Sequence, residues 1–291
     1  MKSRLSLSAL AAGALLSLGL AGPASAAGLD LGRYSLSSTF ALPTSTASES
    51  SAITWNWDSD TLFVLGDEGD HITELSRSGQ VLGSMALSGF SDTEALTYTG
   101  KGGFVIGEER LQDVYQLSYQ AGATVARGSL KSVSLGPTVG NVGLEGISFD
   151  RSNGQFVTVK EKSPQAVQFG SIDFDSGTHT MTSLFTPNLG VLDLSDVQVL
   201  PGSGNLLIFS QESSRLLEVS RSGMVLSSLD FSAISSSTEG VTITADGTIY
   251  LTDETPNVYV FSAAPVPEPE TYALMLAGLA AITWLARRRS A

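Results

Sequence analysis

From residue 28 to residue 264 apolar and polar positions alternate in short runs, the period-two pattern of strands with one buried face. Long amphipathic runs with helical spacing are scarce, and Gly, Ser, Thr and β-branched residues dominate, so the expected class is all-β. The runs pair into five hairpins. Ser51-Ala-Ile-Thr-Trp55 answers Leu62-Phe-Val-Leu-Gly-Asp-Glu68 across a polar turn. Glu94-Ala-Leu-Thr-Tyr98 answers Gly103-Phe-Val-Ile-Gly-Glu-Glu109, and Glu145-Gly-Ile-Ser-Phe149 answers Phe156-Val-Thr-Val-Lys-Glu161. Ser195-Asp-Val-Gln-Val199 answers Leu206-Leu-Ile-Phe-Ser-Gln-Glu212, and Glu239-Gly-Val-Thr-Ile243 answers Ile249-Tyr-Leu-Thr-Asp-Glu254.

The hairpins start 43, 51, 50 and 44 residues apart. A period of ~40–50 residues with four short strands per repeat is the mark of a propeller blade. A third strand follows each hairpin, and a fourth follows in most repeats. The fifth repeat ends at Phe261 without a fourth strand, while Tyr34-Ser-Leu-Ser-Ser-Thr-Phe-Ala-Leu42 stands unpaired before the first hairpin. The expectation is a β-propeller of five four-stranded blades, six being the alternative count, with the N-terminal strand closing the last blade. Closure of this kind removes the open sheet edges.

Antiparallel pairing puts the start of the first strand beside the end of the second. The hairpin alignment therefore sends Glu68, Glu109, Glu161, Glu212 and Glu254 to one face as a five-fold ring. Glu94, Glu145 and Glu239 are expected inside it, near the channel, where the other two blades carry Ser51 and Ser195. Like charges about 4 Å apart repel by roughly 1–4 kcal/mol, so these carboxylates need compensation. Two readings follow. The carboxyls bond backbone N–H groups of the neighbouring blade and lock the ring, or they hold a hard cation, with Ca²⁺ the expected cofactor.

Charge narrows the partners. The chain has a formal net charge of −13, and between its two ends 11 basic residues face 27 acidic ones. Such a surface repels phosphate backbones, so no nucleic-acid partner is expected. There is no cysteine and only His71 and His179, which leaves no thiol nucleophile and little material for a zinc site or a Ser-His-Asp triad. No Gly-rich phosphate loop leads into a helix.

The two ends carry addresses. Lys2 and Arg4 precede an apolar stretch and then Pro23-Ala-Ser-Ala26, the parts of a secretory signal peptide over residues 1–26, cleaved by signal peptidase after Ala26. The propeller domain is assigned to 27–264. Residues 265–291 hold Pro267-Glu268-Pro269, an apolar segment expected as a short transmembrane helix, and Arg287, Arg288 and Arg289. That order of parts resembles the PEP-CTERM sorting signal. The resemblance implies transient residence in the inner membrane, recognition by an exosortase, and release to the cell surface or an exopolysaccharide matrix. A retained single-pass anchor is the alternative.

Within the domain, Leu62-Phe-Val-Leu-Gly-Asp-Glu68, Gly89-Phe-Ser-Asp-Thr-Glu-Ala-Leu-Thr-Tyr98, Gly107-Glu-Glu-Arg110 and Asn141-Val-Gly-Leu-Glu-Gly-Ile-Ser-Phe149 resemble the SdiA-regulated family of bacterial propellers, over nearly all of residues 34–262. The resemblance implies an exported β-propeller and supplies no activity. In the first blade Ser50-Ser51-Ala52 departs from the Ser-Gly expected there. Two functions of different class fit. One is a surface or matrix-associated module that binds an exopolysaccharide or small molecule through an acidic, calcium-holding face. The other is a metal-dependent hydrolase of phosphoesters or lactones that uses the same carboxylates. Arg110, Lys160 and Lys162 are the nearest cations, few for a phosphate-handling site. A third location for function is the connecting loop at 120–138.

Overall fold

The computed structural model describes residues 28–265 and, in the tail, 275–279, 282, 287 and 288. The signal peptide and its Ala26 cleavage point, Pro267-Glu268-Pro269, Arg289 and most of the apolar tail segment lie outside the described residues. No helix among the described residues is long and apolar enough to cross a membrane.

Five four-stranded antiparallel sheets form a closed ring. After β1 (Tyr34–Ala41), blade one runs β2 (Ser50–Asn56), β3 (Thr61–Gly66), β4 (His71–Leu75) and β5 (Val81–Ser88) from the channel outward. Blade two is β6 (Thr93–Gly100), β7 (Gly103–Glu108), β8 (Asp113–Ser118) and then β10 (Lys131–Ser134). The intervening β9 (Thr124–Ala126) adds to the outer edge of blade one, parallel to β5. So the 120–138 loop belongs to the scaffold of two blades. Blade three is β11 (Leu144–Asp150), β12 (Gln155–Lys160), β13 (Ala166–Gly170) and β16 (Thr182–Phe185), the last reached through the small hairpin β14 (Ile172–Asp173) and β15 (Thr178–His179). Blade four is β17 (Asp196–Val199), β18 (Leu206–Ser210), β19 (Arg215–Val219) and β20 (Val225–Asp230). Blade five is β21 (Thr238–Ile243), β22 (Ile249–Asp253) and β23 (Asn257–Ala263), and β1 pairs antiparallel with β23 as its fourth strand.

Strands two and three of each blade are apolar on both faces because each face meets another blade. Accordingly the core divides into five clusters, one between each adjacent pair of blades. Phe63, Phe104 and Tyr98 fill the first junction, and Phe209, Phe231 and Phe261 fill that between blades four and five.

Polar side chains fasten the same junctions near the channel. The Trp55 N–H donates to Thr242 Oγ1 (3.1 Å), Tyr98 N–H to Thr54 Oγ1 (3.2 Å), Phe149 N–H to Thr97 Oγ1 (3.0 Å) and Val199 N–H to Ser148 Oγ (2.9 Å). Four blades thus present a buried hydroxyl at one equivalent position to a main-chain N–H of the next. The fourth blade has Gln198 there, and its bond to a main-chain N–H of blade five lies two residues away, where Asp196 Oδ2 accepts the Val241 N–H at 2.7 Å. Thr97→Val keeps shape and leaves the Phe149 N–H without an acceptor, a loss of about 1–3 kcal/mol. Thermal unfolding is expected to drop by several degrees, while Thr124→Val on exposed β9 leaves it unchanged. Equal melting of the two variants would remove this role from the hydroxyls.

Candidate functional site

The acidic residues gather at the channel mouth where the inner strands begin. Four of the five inner positions sit on irregularities of the ladder. The pairing register slips between Ser50 and Ala52, between Thr93 and Ala95 and between Leu144 and Gly146, and it slips again between Thr238 and Val241. The skipped residues include Ser51, Glu94, Glu145 and Glu239. A bulge frees its residue from the ladder and re-aims the side chain, which is how these four point into the mouth.

The outer ring is shifted by one residue in two blades relative to the sequence alignment. The carbonyls of Asp67, Glu109 and Glu161 accept the N–H groups of Thr93, Leu144 and Leu194, each the residue before the inner position of the next blade. Phe209 pairs with Asp196 as Val159 pairs with Gly146. The ring is therefore Asp67, Glu109, Glu161, Gln211 and Glu254. Glu68 and Glu212 stand one residue beyond it and are exposed. The apolar run of the second strand carries no mark of where the strand ends. The missed signal is spacing, since 15 or 16 residues separate the inner and ring positions in every blade once Asp67 and Gln211 are used.

Two ring residues hydrogen-bond the next blade's inner residue. Gln211 Nε2 donates to Glu239 Oε1 at 2.9 Å. Glu145 offers a hydrogen bond to Glu109, which holds the Glu145 proton and lowers Glu109 in turn. Glu109 Oε1 also accepts the Gly143 N–H at 2.8 Å, the blade-to-blade carboxyl–backbone contact expected of a lock. Burial pushes Glu94 well above the usual carboxylate range, and Glu239 adds to it. Burial likewise pushes up Glu145, with Glu94 and Glu109 beside it. Burial, and then Glu254, raise Glu239 to about 8. Asp67, Glu109 and Glu254 are raised as well, with burial the first cause in each. The Ser51 hydroxyl faces Glu94 and Glu239 and tempers both, yet it is buried without a hydrogen-bond partner of good geometry.

Two groups of carboxyls converge closely. Oxygens of Glu109, Glu145 and Glu161 lie within 4.8 Å of one another, and so do oxygens of Glu49, Asp67 and Glu68. In the first group Glu161 Oε1 meets Lys162 Nζ at 2.6 Å, while Glu161 Oε2 is buried and has no partner. The bases nearby are committed. Lys162 also reaches Glu212 at 2.7 Å, and Arg110 pairs with Asp92 at 3.1 Å and bonds Asn141. Neither His71, on β4, nor His179, on β15, belongs to these groups.

Comparison with known proteins agrees with this architecture. A glutaminyl cyclase from Myxococcus xanthus superposes with a TM-score of 0.57 at 13% identity, covering 80% of this chain and 97% of its own. A virginiamycin B lyase from Staphylococcus aureus is more distant, at TM-score 0.47 and 10% identity over 79% and 100% of the two chains. The first likeness is one of fold. The PEP-CTERM protein-sorting motif matches residues 265–289, which indicates export, sorting to the cell surface and processing by the exosortase system. Residues 33–262 match the SdiA-regulated family, and the chain belongs to that family.

Proposed function

We propose that the protein is an exported binding module whose acidic channel mouth takes a divalent cation, Ca²⁺, on Glu109, Glu145 and Glu161, and through it a ligand rich in oxygen, such as an exopolysaccharide or a small hydroxylated molecule. The supporting observation is the convergence of three carboxyls from two blades, one of which, Glu161, keeps a buried oxygen with no hydrogen-bond partner. Ca²⁺ takes 6–8 oxygen ligands at roughly 2.3–2.6 Å and tolerates irregular geometry. Glu94, Glu239 and the Ser51 hydroxyl border the same mouth, and open positions on the ion would face the channel. A cation would also replace the proton that burial now holds on Glu145.

The hydrolase reading uses the same ligands, with a raised Glu such as Glu239 as general base. It has less support. A phosphoester needs cations beside the metal, and Lys162 and Arg110 are spent on Glu161, Glu212 and Asp92.

Calorimetric titration of the protein with calcium tests the proposal. Binding is expected near the ~10⁻⁴–10⁻³ M typical of extracellular modules, and Glu109→Gln/Glu145→Gln/Glu161→Gln should abolish it. Absence of heat at millimolar calcium, or binding that survives the triple variant, would reduce these glutamates to a lock between blades two and three.

A further inference from the structure

The other mouth of the channel is chemically unlike the first. There the inner strands end, and between them lies a cavity of about 580 Å³, within the ~300–1,000 Å³ range of small-molecule pockets. Its floor is the ring of junction side chains, with Thr54, Thr97 and Thr242 beside the Gln198 amide. Gln198 donates to Ser148 Oγ at 2.9 Å and accepts from Thr242 at 3.3 Å, so it ties the floor together. The walls are apolar and aromatic, with Trp57, Phe149, Pro201 and Ile243.

One cation serves this pocket. The Arg151 guanidinium stacks 4.2 Å from the Trp57 ring centroid, is exposed, and makes no ion pair among the described residues. The acids around it hydrogen-bond or ion-pair with other groups, and Asp58 is near enough to feel the Arg151 charge without an ion pair. Asp150 is held by Arg221. Asp58 accepts the Tyr98 hydroxyl and the Lys101 N–H at 3.0 Å. A stacked guanidinium keeps its in-plane N–H fork free, and that fork matches a carboxylate with two parallel hydrogen bonds.

We propose that this pocket binds a small amphipathic monocarboxylate, its apolar body against Trp57 and Phe149 and its carboxylate on Arg151. The net charge selects a single negative charge. A domain with 27 acids against 11 bases repels a dianion about twice as strongly as a monoanion, since the energy scales with charge, and of the two guanidiniums at the pocket Arg221 is already paired with Asp150, which leaves Arg151 to offset it. A phosphate monoester is thereby disfavoured. This reading is independent of the acidic mouth, which lies at the opposite end of the inner strands.

Ligand-observed saturation-transfer NMR on the full chain tests it, with phenylacetate, indole-3-acetate and octanoate as probes beside their neutral amides. At least one acid should bind roughly tenfold more tightly than its amide, the factor expected of one charge-assisted pair. Arg151→Gln should bring that acid to the affinity of its amide with melting temperature unchanged. The Glu109→Gln/Glu145→Gln/Glu161→Gln variant should bind it as the parent does. Failure of all three acids to bind, or an acid preference that persists in Arg151→Gln, overturns the proposal.

Discussion

Free of calcium, the protein is expected to lose thermal stability as the pH rises from about 5 to about 8, the reverse of the usual trend for carboxylates. The sign comes from burial. Glu239 ionises near 4.5 in the unfolded chain and at about 8 in the folded one. Between those values the native state keeps a proton that the unfolded state has released. Stability therefore falls as pH rises through this window, by about 1.4 kcal/mol per pH unit for each fully retained proton. It is intact below 4.5 and levels off above 8. Glu94 and Glu145 are displaced the same way and interact with their neighbours, so the protons leave as a group rather than singly. Acids with lowered values, such as Asp253 and Asp246, change charge below this window and do not mask the slope. Melting curves at pH 5 and pH 8 measure the effect. Glu94→Gln/Glu145→Gln/Glu239→Gln should flatten it. Saturating calcium should oppose it, because an ion that binds only the native state stabilises it in proportion to RT ln(1 + [L]/Kd) and competes with protons for the same oxygens. A calcium-free protein that melts higher at pH 8 than at pH 5 would mean that these carboxyls are ionised in the fold, against the burial argument.

The largest effect of a single substitution is expected at Arg127. Glu108 is 0% exposed, at the junction of blades one and two. Its carboxylate accepts both oxygens' worth of contact from Arg127 Nη1, at 3.1 and 2.9 Å, with the Tyr115 hydroxyl at 2.8 Å and the Ser91 N–H at 3.0 Å. Phe90 stacks edge-on against Tyr115 beside it. Arg127→Ala leaves a buried carboxylate without its counter-charge, which costs about 3–5 kcal/mol, or on the order of 10 °C in melting temperature for a domain of this size. The double variant Arg127→Ala/Glu108→Gln should recover most of the loss, because a neutral amide has no charge to compensate. A drop smaller than about 1 kcal/mol, or a double variant as unstable as the single, would show that Tyr115 and Ser91 suffice for the carboxylate.

The blade count and the closing strand were legible because each blade repeats the same apolar two-strand core, and because β1 matched a missing fourth strand. The inner carboxyls were legible for the same reason. Glu94, Glu145 and Glu239 each open a first strand, and the mouth of the channel is where first strands begin. The ring was misread in blades one and four. Gly66 in β3 looks like Gly107 in β7, but Gly66 pairs with Ser50 whereas Gly107 pairs with Ala95, so the true equivalents differ by one position. The inner-strand bulge falls at the same place in both blades, so the slip lies in the hairpin turn, which is one residue longer in blade one and leaves no mark in the apolar pattern. Arg127 and Glu108 meet only because β9 folds back onto β5, a parallel contact that periodicity within one blade does not report. The hydroxyls at Thr54, Thr97, Ser148 and Thr242 were present in the repeat, and their spacing could have named them as the junction fasteners.

Closure of blade five by β1 also decides where the chain enters and leaves the ring. The Ala264 N–H donates to the Arg33 carbonyl, so the chain enters and leaves the propeller side by side on the outer rim of that blade. Tyr34 Oη donates to the Gly247 carbonyl in the turn between β21 and β22, so this shared threshold sits at the end of the blade away from the carboxyl-lined mouth. The last strand ends at Ala263, so cleavage beyond Ala264 draws no strand out of any sheet.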